Sequence, residues 1–208
     1  MKKYFIISIG ILSILFYSKS LAQDQDTLEA SDWEYGVETD LYFGDPFVFL
    51  PIVTANKGKL HLEARYNYED LKTASAWAGY NFFGGEEFEY LVTPMIGVTV
   101  GRTDGIMPGL EFALGIGGFE LYSESEYLFD FESSENNYFY SWTDFTFSPL
   151  DWLWFGISGQ RTRLYKTELE IDRGILLGLS YKSIEITGYY FNAFTDDIFF
   201  MLSLSTEF

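Results

Sequence analysis

Few side chains in this sequence could do acid–base or nucleophilic chemistry. His61 is the only histidine and there is no cysteine. Thiol nucleophiles, disulfides and a cysteine lipid anchor are therefore excluded. A serine hydrolase would need His61 as its general base near neutral pH. His61 lies two residues from Glu63, and no G-x-S-x-G segment accompanies it. It reads as a histidine making ordinary hydrogen bonds, and the chain as a non-enzyme. Gly115-Ile116-Gly117-Gly118 fits no nucleotide fingerprint and reads as a turn between strands. Asp24, Asp26, Asp196 and Asp197 are too scattered to hold a metal. No catalytic, cofactor or metal residue is assigned.

What the sequence has in quantity is carboxylate. Glu34, Glu38, Asp40, Glu63, Glu89, Glu111, Glu120, Glu124, Glu126 and Glu185 fall on the polar parity of alternating segments. On the inside of a pore, unpaired acids would concentrate cations and exclude anions. The alternative is that Arg65, Arg161, Arg163 or Arg173 pairs with them and plugs the interior, with Trp77 and Tyr122 helping to fill it. The candidate lumen-lining set is Glu34, Glu38, His61, Glu63, Arg65, Glu89, Glu111, Glu120, Glu124 and Glu185. The formal charge is −18; losing Lys2, Lys3 and Lys19 with the leader described below would leave ten basic against 31 acidic residues, a net of −21. Such a chain repels nucleic-acid phosphates. Arg161-Thr162-Arg163 with Lys166 could meet lipid phosphates at a rim, or bridge to Glu168 and Glu170.

The elements that position these residues have a period of two. Trp33, Tyr35, Val37, Thr39 and Leu41 alternate with Glu34, Gly36, Glu38 and Asp40. Leu60, Leu62, Ala64 and Tyr66 alternate with His61, Glu63 and Arg65. The same pattern recurs to the C-terminus, and no stretch after the leader has a competing helical period. Twelve strands are expected, at about 33–43, 47–55, 59–68, 74–83, 87–101, 107–117, 118–130, 138–148, 152–165, 172–181, 184–192 and 197–208, with ten the alternative. Links after even-numbered strands are tight, as at Gly117-Gly118 and Lys182-Ser183. Links after odd-numbered strands tend to be longer and more polar, such as Glu69 to Thr73 and Phe131 to Asn137. Membrane barrels sort their connections in this way. Two aromatic girdles are expected. Tyr80, Phe82, Phe88, Tyr90, Phe119, Trp152, Tyr181 and Phe208 fall near the short-turn rim. Tyr66, Tyr68, Tyr127, Tyr138, Tyr165 and Tyr190 fall near the long-loop rim. Pro51 and Pro94 interrupt two strands. In 138–148, either Tyr138, Tyr140 and Trp142 or Phe139, Phe145 and Phe147 could face lipid.

The N-terminus reads as a secretory signal over 1–22: Lys2 and Lys3, an apolar run from Tyr4 to Tyr17, then small residues at Ser20 and Ala22 before the cut. Residues 23–32 form a short periplasmic lead-in and 33–208 the barrel. The chain ends on a strand whose alternate residues are Ile198, Phe200, Leu202, Leu204, Thr206 and Phe208. With the leader, the alternation, the girdles and the loop asymmetry, this end resembles that of bacterial outer-membrane β-barrel proteins, in layout closest to monomeric twelve-stranded channels that include acidic-sugar porins. The resemblance implies an all-β, antiparallel up-and-down transmembrane barrel in the outer membrane of a Gram-negative-type bacterium. It also implies that the barrel-assembly machinery reads Phe208, Leu204 and Leu202, with outer-membrane lipid as the surrounding partner. Acidic-sugar porins look to be lined with basic residues that this chain mostly lacks. The expected function is a passive channel for small neutral or cationic solutes. The alternatives are a filled interaction barrel, a lipid-modifying enzyme resting on His61 alone, and a soluble periplasmic ligand-binding barrel.

Overall fold

A computed structural model describes residues 32–44, 46–164 and 170–208. The expected signal peptide and nearly all of the lead-in lie outside the described residues, as do Tyr165, Lys166 and Glu168. Thirteen strands are present among the described residues: β1 (Glu34–Phe43), β2 (Val48–Lys57), β3 (Leu60–Tyr66), β4 (Ala74–Tyr80), β5 (Phe82–Gly84), β6 (Phe88–Val100), β7 (Gly105–Ile116), β8 (Phe119–Asp130), β9 (Tyr138–Leu150), β10 (Leu153–Leu164), β11 (Glu170–Tyr181), β12 (Ile184–Phe191) and β13 (Phe199–Glu207). All neighbours pair antiparallel. Strand β1 meets β13 from Gly36 opposite Glu207 to Phe43 opposite Phe200, and that ladder joins the two ends of the chain's sheet. Both β4 and β5 pair with β6 in one continuous register, so they are two halves of one stave. The barrel therefore has twelve staves, not ten.

The prolines explain the irregularities. The break between β4 and β5 falls at Asn81, and the register puts Tyr80 and Asn81 opposite Pro94 and Thr93. Proline has no N–H to give the ladder, so the stave is interrupted there. Pro108 stands in the same way where the β7–β8 ladder skips Met107 and Pro108. Pro51 lies just past the last residue, Ile52, that β2 pairs with β3. Short turns carry the backbone conformations that tight hairpins demand: Gly117 and Gly118 both have positive φ, 55° and 90°, as a two-residue hairpin with the strands' own twist requires.

Burial alternates along the strands and sorts the two faces. The outward set includes Val37, Val53, Ile96, Val98, Val100, Phe145, Ile157, Ile175, Leu177, Ile186 and Phe200, all exposed. A wall this apolar is built for hydrocarbon, and closing the sheet leaves no unpaired edge inside it. It is incompatible with a soluble periplasmic barrel. In β9 the outward residues are Phe139, Phe145 and Phe147, while Tyr138, Tyr140 and Trp142 turn inward. Outward rings pair near the short-turn rim (Tyr35 with Phe208 at 6.1 Å, Phe119 with Phe147 at 4.7 Å) and near the other (Tyr127 with Phe129 at 4.7 Å, Tyr190 with Phe200 at 4.8 Å). Tyr68 and Tyr138 are not part of the outer girdle; their hydroxyls donate inward, to Glu124 and to the Glu69 carbonyl.

Two apolar clusters occupy the interior. One joins Trp142, Trp154, Leu176, Tyr189, Phe191 and Met201 on the β9–β13 side, with Leu91 and Ala113 opposite; the other joins Trp77, Met95, Met107 and Leu128 on the β4–β8 side. Large rings fit because glycines face them. The Trp154 indole lies where a side chain at Gly178 would be, and the Trp77 ring where one at Gly97 would be. Small-against-large pairing of this kind fills a barrel interior.

Candidate functional site

The inward face is where polar chemistry collects. Strand β3 follows the tight turn after Lys57, and its alternation turns His61, Glu63 and Arg65 inward, all buried. His61 sits opposite Asn56 in register. Its Nδ1 is 2.9 Å from Asn56 Oδ1 and its Nε2 is 3.3 Å from Glu63 Oε2. Both ring nitrogens are thus engaged, and neither faces a serine or threonine hydroxyl. The network continues through Asn81, whose Nδ2 donates to Asn56 and whose Oδ1 accepts from Thr93.

Arg65 is the centre of this face. Its guanidinium, 3 % exposed, donates to Glu63 on its own strand, to Glu111 on β7 at 3.3 Å, and to Glu124 and Glu126 on β8 at 2.5 and 3.4 Å. The rings of Tyr68 and Trp77 lie 4.4 and 4.9 Å from its Cζ, close enough for cation–π attraction. Strands β7 and β8 are not neighbours of β3, so this cage bridges the interior. Glu124 also accepts from Tyr68 at 2.9 Å. One cation faces four carboxylates, so the cage is itself acidic.

Beside the cage lies a cavity of about 80 Å³, room for several waters. It runs from Gly36 and Glu207, near the short-turn rim, to Tyr42, Tyr68 and Tyr140 near the long-loop side. Tyr68 and Tyr140 meet edge to face at 5.8 Å at that end. Acids on its wall are Glu38, Asp40, Glu63, Glu111, Glu124, Asp144 and Glu207. Glu38 accepts from Ser203 and Asp144 from Tyr189. A third grouping sits at the short-turn rim, where the first residues of β1, β6, β8 and β12 and the last of β13 come together. It places Glu34, Glu89, Glu120, Glu185 and Glu207 on inward-facing positions of five staves.

Of the residues singled out from the sequence, His61, Glu63, Arg65, Glu111 and Glu124 are thus brought into one network and Glu38 onto the adjoining cavity. Glu34, Glu89, Glu120 and Glu185 stand apart at the rim. Asp144 and Glu207 were not singled out. Asp144 lies on the strand whose two faces are both aromatic, and Glu207 on one read for its apolar parity. Arg161 and Arg173, considered as partners for these acids, face outward and are exposed. The described residues contain no group of three or more His, Cys, Asp or Glu that could hold a metal ion.

No family model and no curated relative matches the sequence. Solved structures do match in fold. A KdgM porin is 10% identical, with a TM-score of 0.55 over 84% of this chain and 98% of that one. A KdgM porin in complex with disordered oligogalacturonate is also 10% identical, with a TM-score of 0.59 over 83% of this chain and 99% of that one. The chain has the fold of an outer-membrane porin barrel. At that identity the likeness extends to the twelve-stave frame and not to the lining, which is this chain's own.

Proposed function

We propose that this protein is an outer-membrane channel that passes small neutral or cationic solutes passively. The observation that carries the reading is the charge of the inward face: seven carboxylates on one cavity and an acidic rim beneath it, against a single buried guanidinium among the described side chains. Rings of carboxylate attract cations and repel anions by simple electrostatics. The KdgM complex holds oligogalacturonate, a carboxylated sugar chain. The same polyanion would be repelled here, so the fold carries over and the cargo does not. Planar-bilayer recording of refolded protein under a KCl gradient tests the proposal. Current steps with a reversal potential on the cation side are expected, and anion selectivity would overturn the reading.

A filled barrel is the second reading, favoured by the Arg65 cage across the interior and by the Tyr68–Tyr140 contact above the cavity. A silent bilayer from protein that still shows heat-modifiable gel mobility would select it. We also propose that the last strand serves as the assembly signal, with Phe208, Leu204 and Leu202 on its lipid face. Phe208 exchanges both backbone hydrogen bonds with Tyr35, each 3.0 Å, which fixes the seam where the barrel closes. Phe208→Ala should slow insertion in vitro by purified assembly machinery, and an unchanged rate would refute that role.

A further inference from the structure

The wall of the cavity away from the Arg65 cage combines features that the cage lacks. Asp40 of β1 and Asp144 of β9 both line it and are 7 % and 1 % exposed. Oδ1 of each is shielded from solvent and has no hydrogen-bond partner in the protein. A buried carboxylate oxygen without a donor costs free energy that a cationic donor would restore. Nothing basic on the described part of this wall supplies one, since Arg65 is held by Glu63, Glu111, Glu124 and Glu126. The same cavity is lined by Trp142 and Tyr189, ring edge to ring face at 5.3 Å, and by Tyr42. Aromatic faces favour a cation that carries carbon. Among the described residues no group of three or more His, Cys, Asp or Glu could hold a metal ion.

We propose that the Asp40–Asp144 wall is a binding site for a small organic ammonium ion, whose N–H groups complete the two unpartnered Oδ1 atoms and whose alkyl part lies against Trp142 and Tyr189. The proposal rests on the reading of the interior as a path for cationic solutes, but it can fail separately, because binding is measured at equilibrium without current. The probe is ethylammonium chloride, whose three heavy atoms suit a cavity of about 80 Å³, titrated calorimetrically into the refolded full chain in detergent. Ethanol, equal in size and uncharged, is the control. Saturable binding of ethylammonium and none of ethanol is expected. Asp40→Asn and Asp144→Asn should each weaken binding by about tenfold or more, the scale of a lost charged hydrogen bond. Glu132→Gln, on an exposed loop, should leave it unchanged. Heat-modifiable mobility checks that each variant still folds. No saturable binding, or equal binding by the aspartate variants, overturns the site and leaves the conductance prediction standing. Binding with a silent bilayer would uphold the site while removing the channel.

Discussion

Replacing Arg65 by Met removes the one buried guanidinium among the described side chains while keeping much of its volume. Four carboxylates then face one another without it: Glu63, Glu111, Glu124 and Glu126, each 7 % exposed or less. A unit-charge pair about 4 Å apart attracts by on the order of 4 kcal/mol at an effective dielectric of about 20. The gross attraction of the cage is thus several such terms, most of it offset by dehydrating five charged groups. The asymmetry decides the outcome. Taking one partner out of a buried pair costs about 3–5 kcal/mol, because the other charge stays buried and unpaired. Here four charges are left, so Arg65→Met should lie at or above the upper end of that range. Arg65 takes part in the ladder through its backbone alone, so the barrel should still close and the loss should appear in stability, not in topology. The assay is urea unfolding of the refolded barrel in lipid, followed by tryptophan fluorescence. Adding Glu63→Gln and Glu124→Gln to Arg65→Met should recover part of the loss, because it removes the repulsion the first change exposed. The deficit should also narrow as the pH falls and the carboxylates protonate. An Arg65→Met barrel within about 1 kcal/mol of its parent would refute the view that the cage is a structural bridge.

Three further outcomes are expected. Gly178→Leu should displace the Trp154 ring that covers Gly178, costing about 1–3 kcal/mol by overpacking and changing the near-ultraviolet circular dichroism, whereas a change to Ser at exposed Gly117 should leave that spectrum as it is. Glu69 lies in the loop between β3 and β4 and accepts from Ser75 and Trp77, and burial pushes its carboxyl above the usual carboxylate range. A group raised in the folded state lends stability below its ordinary range, near pH 4, that is lost as the pH rises through the folded value. Glu69→Gln should therefore protect the loop from amide exchange more than the parent does at neutral pH, with the difference vanishing in acid. His61→Ala should cost about 1 kcal/mol by removing one hydrogen bond each from Asn56 and Glu63, which keep Asn81 and Arg65 as partners, while leaving bilayer ion selectivity unchanged, and a loss of selectivity would place His61 in the permeation path.

The frame was legible in the sequence because a membrane barrel writes the same instruction along every stave, apolar out and polar or small in. Where both faces are apolar that instruction is silent. In β9 the outside needs Phe139, Phe145 and Phe147 for lipid, and the inside needs Tyr140 and Trp142 to pack against Tyr189 and Phe191; periodicity cannot rank two aromatic faces. The identity of the inward acids was legible for the same reason that the strands were. Their grouping was not. Arg65 reaches Glu111 and Glu124 across 46 and 59 residues of sequence, and which acids it meets depends on the tilt and stagger of staves that do not touch. The match of Gly178 to Trp154 and of Gly97 to Trp77 is of this kind too, since each requires knowing which residue lies opposite in the ladder.

The division of the interior has a consequence for how substitutions should sort. A twelve-stave barrel is too wide for one wall's side chains to fill, yet narrow enough for an arginine on β3 to reach β7 and β8. The bridge and the Trp77, Met95, Met107 and Leu128 cluster therefore close the β4–β8 side, and the cavity lies between the bridge and the inward residues of β1, β9, β12 and β13. If solutes pass, they pass along that second side. Neutralising Asp40 or Asp144 should then shift cation selectivity with little loss of stability, since neither is paired to a buried base. Neutralising Glu63 or Glu124 should do the reverse, loosening the bridge first. Comparing reversal potential and urea midpoint for these four variants separates the two sides. A channel running through the Arg65 cage would show both effects together at Glu63 and Glu124, and neither at Asp40 and Asp144.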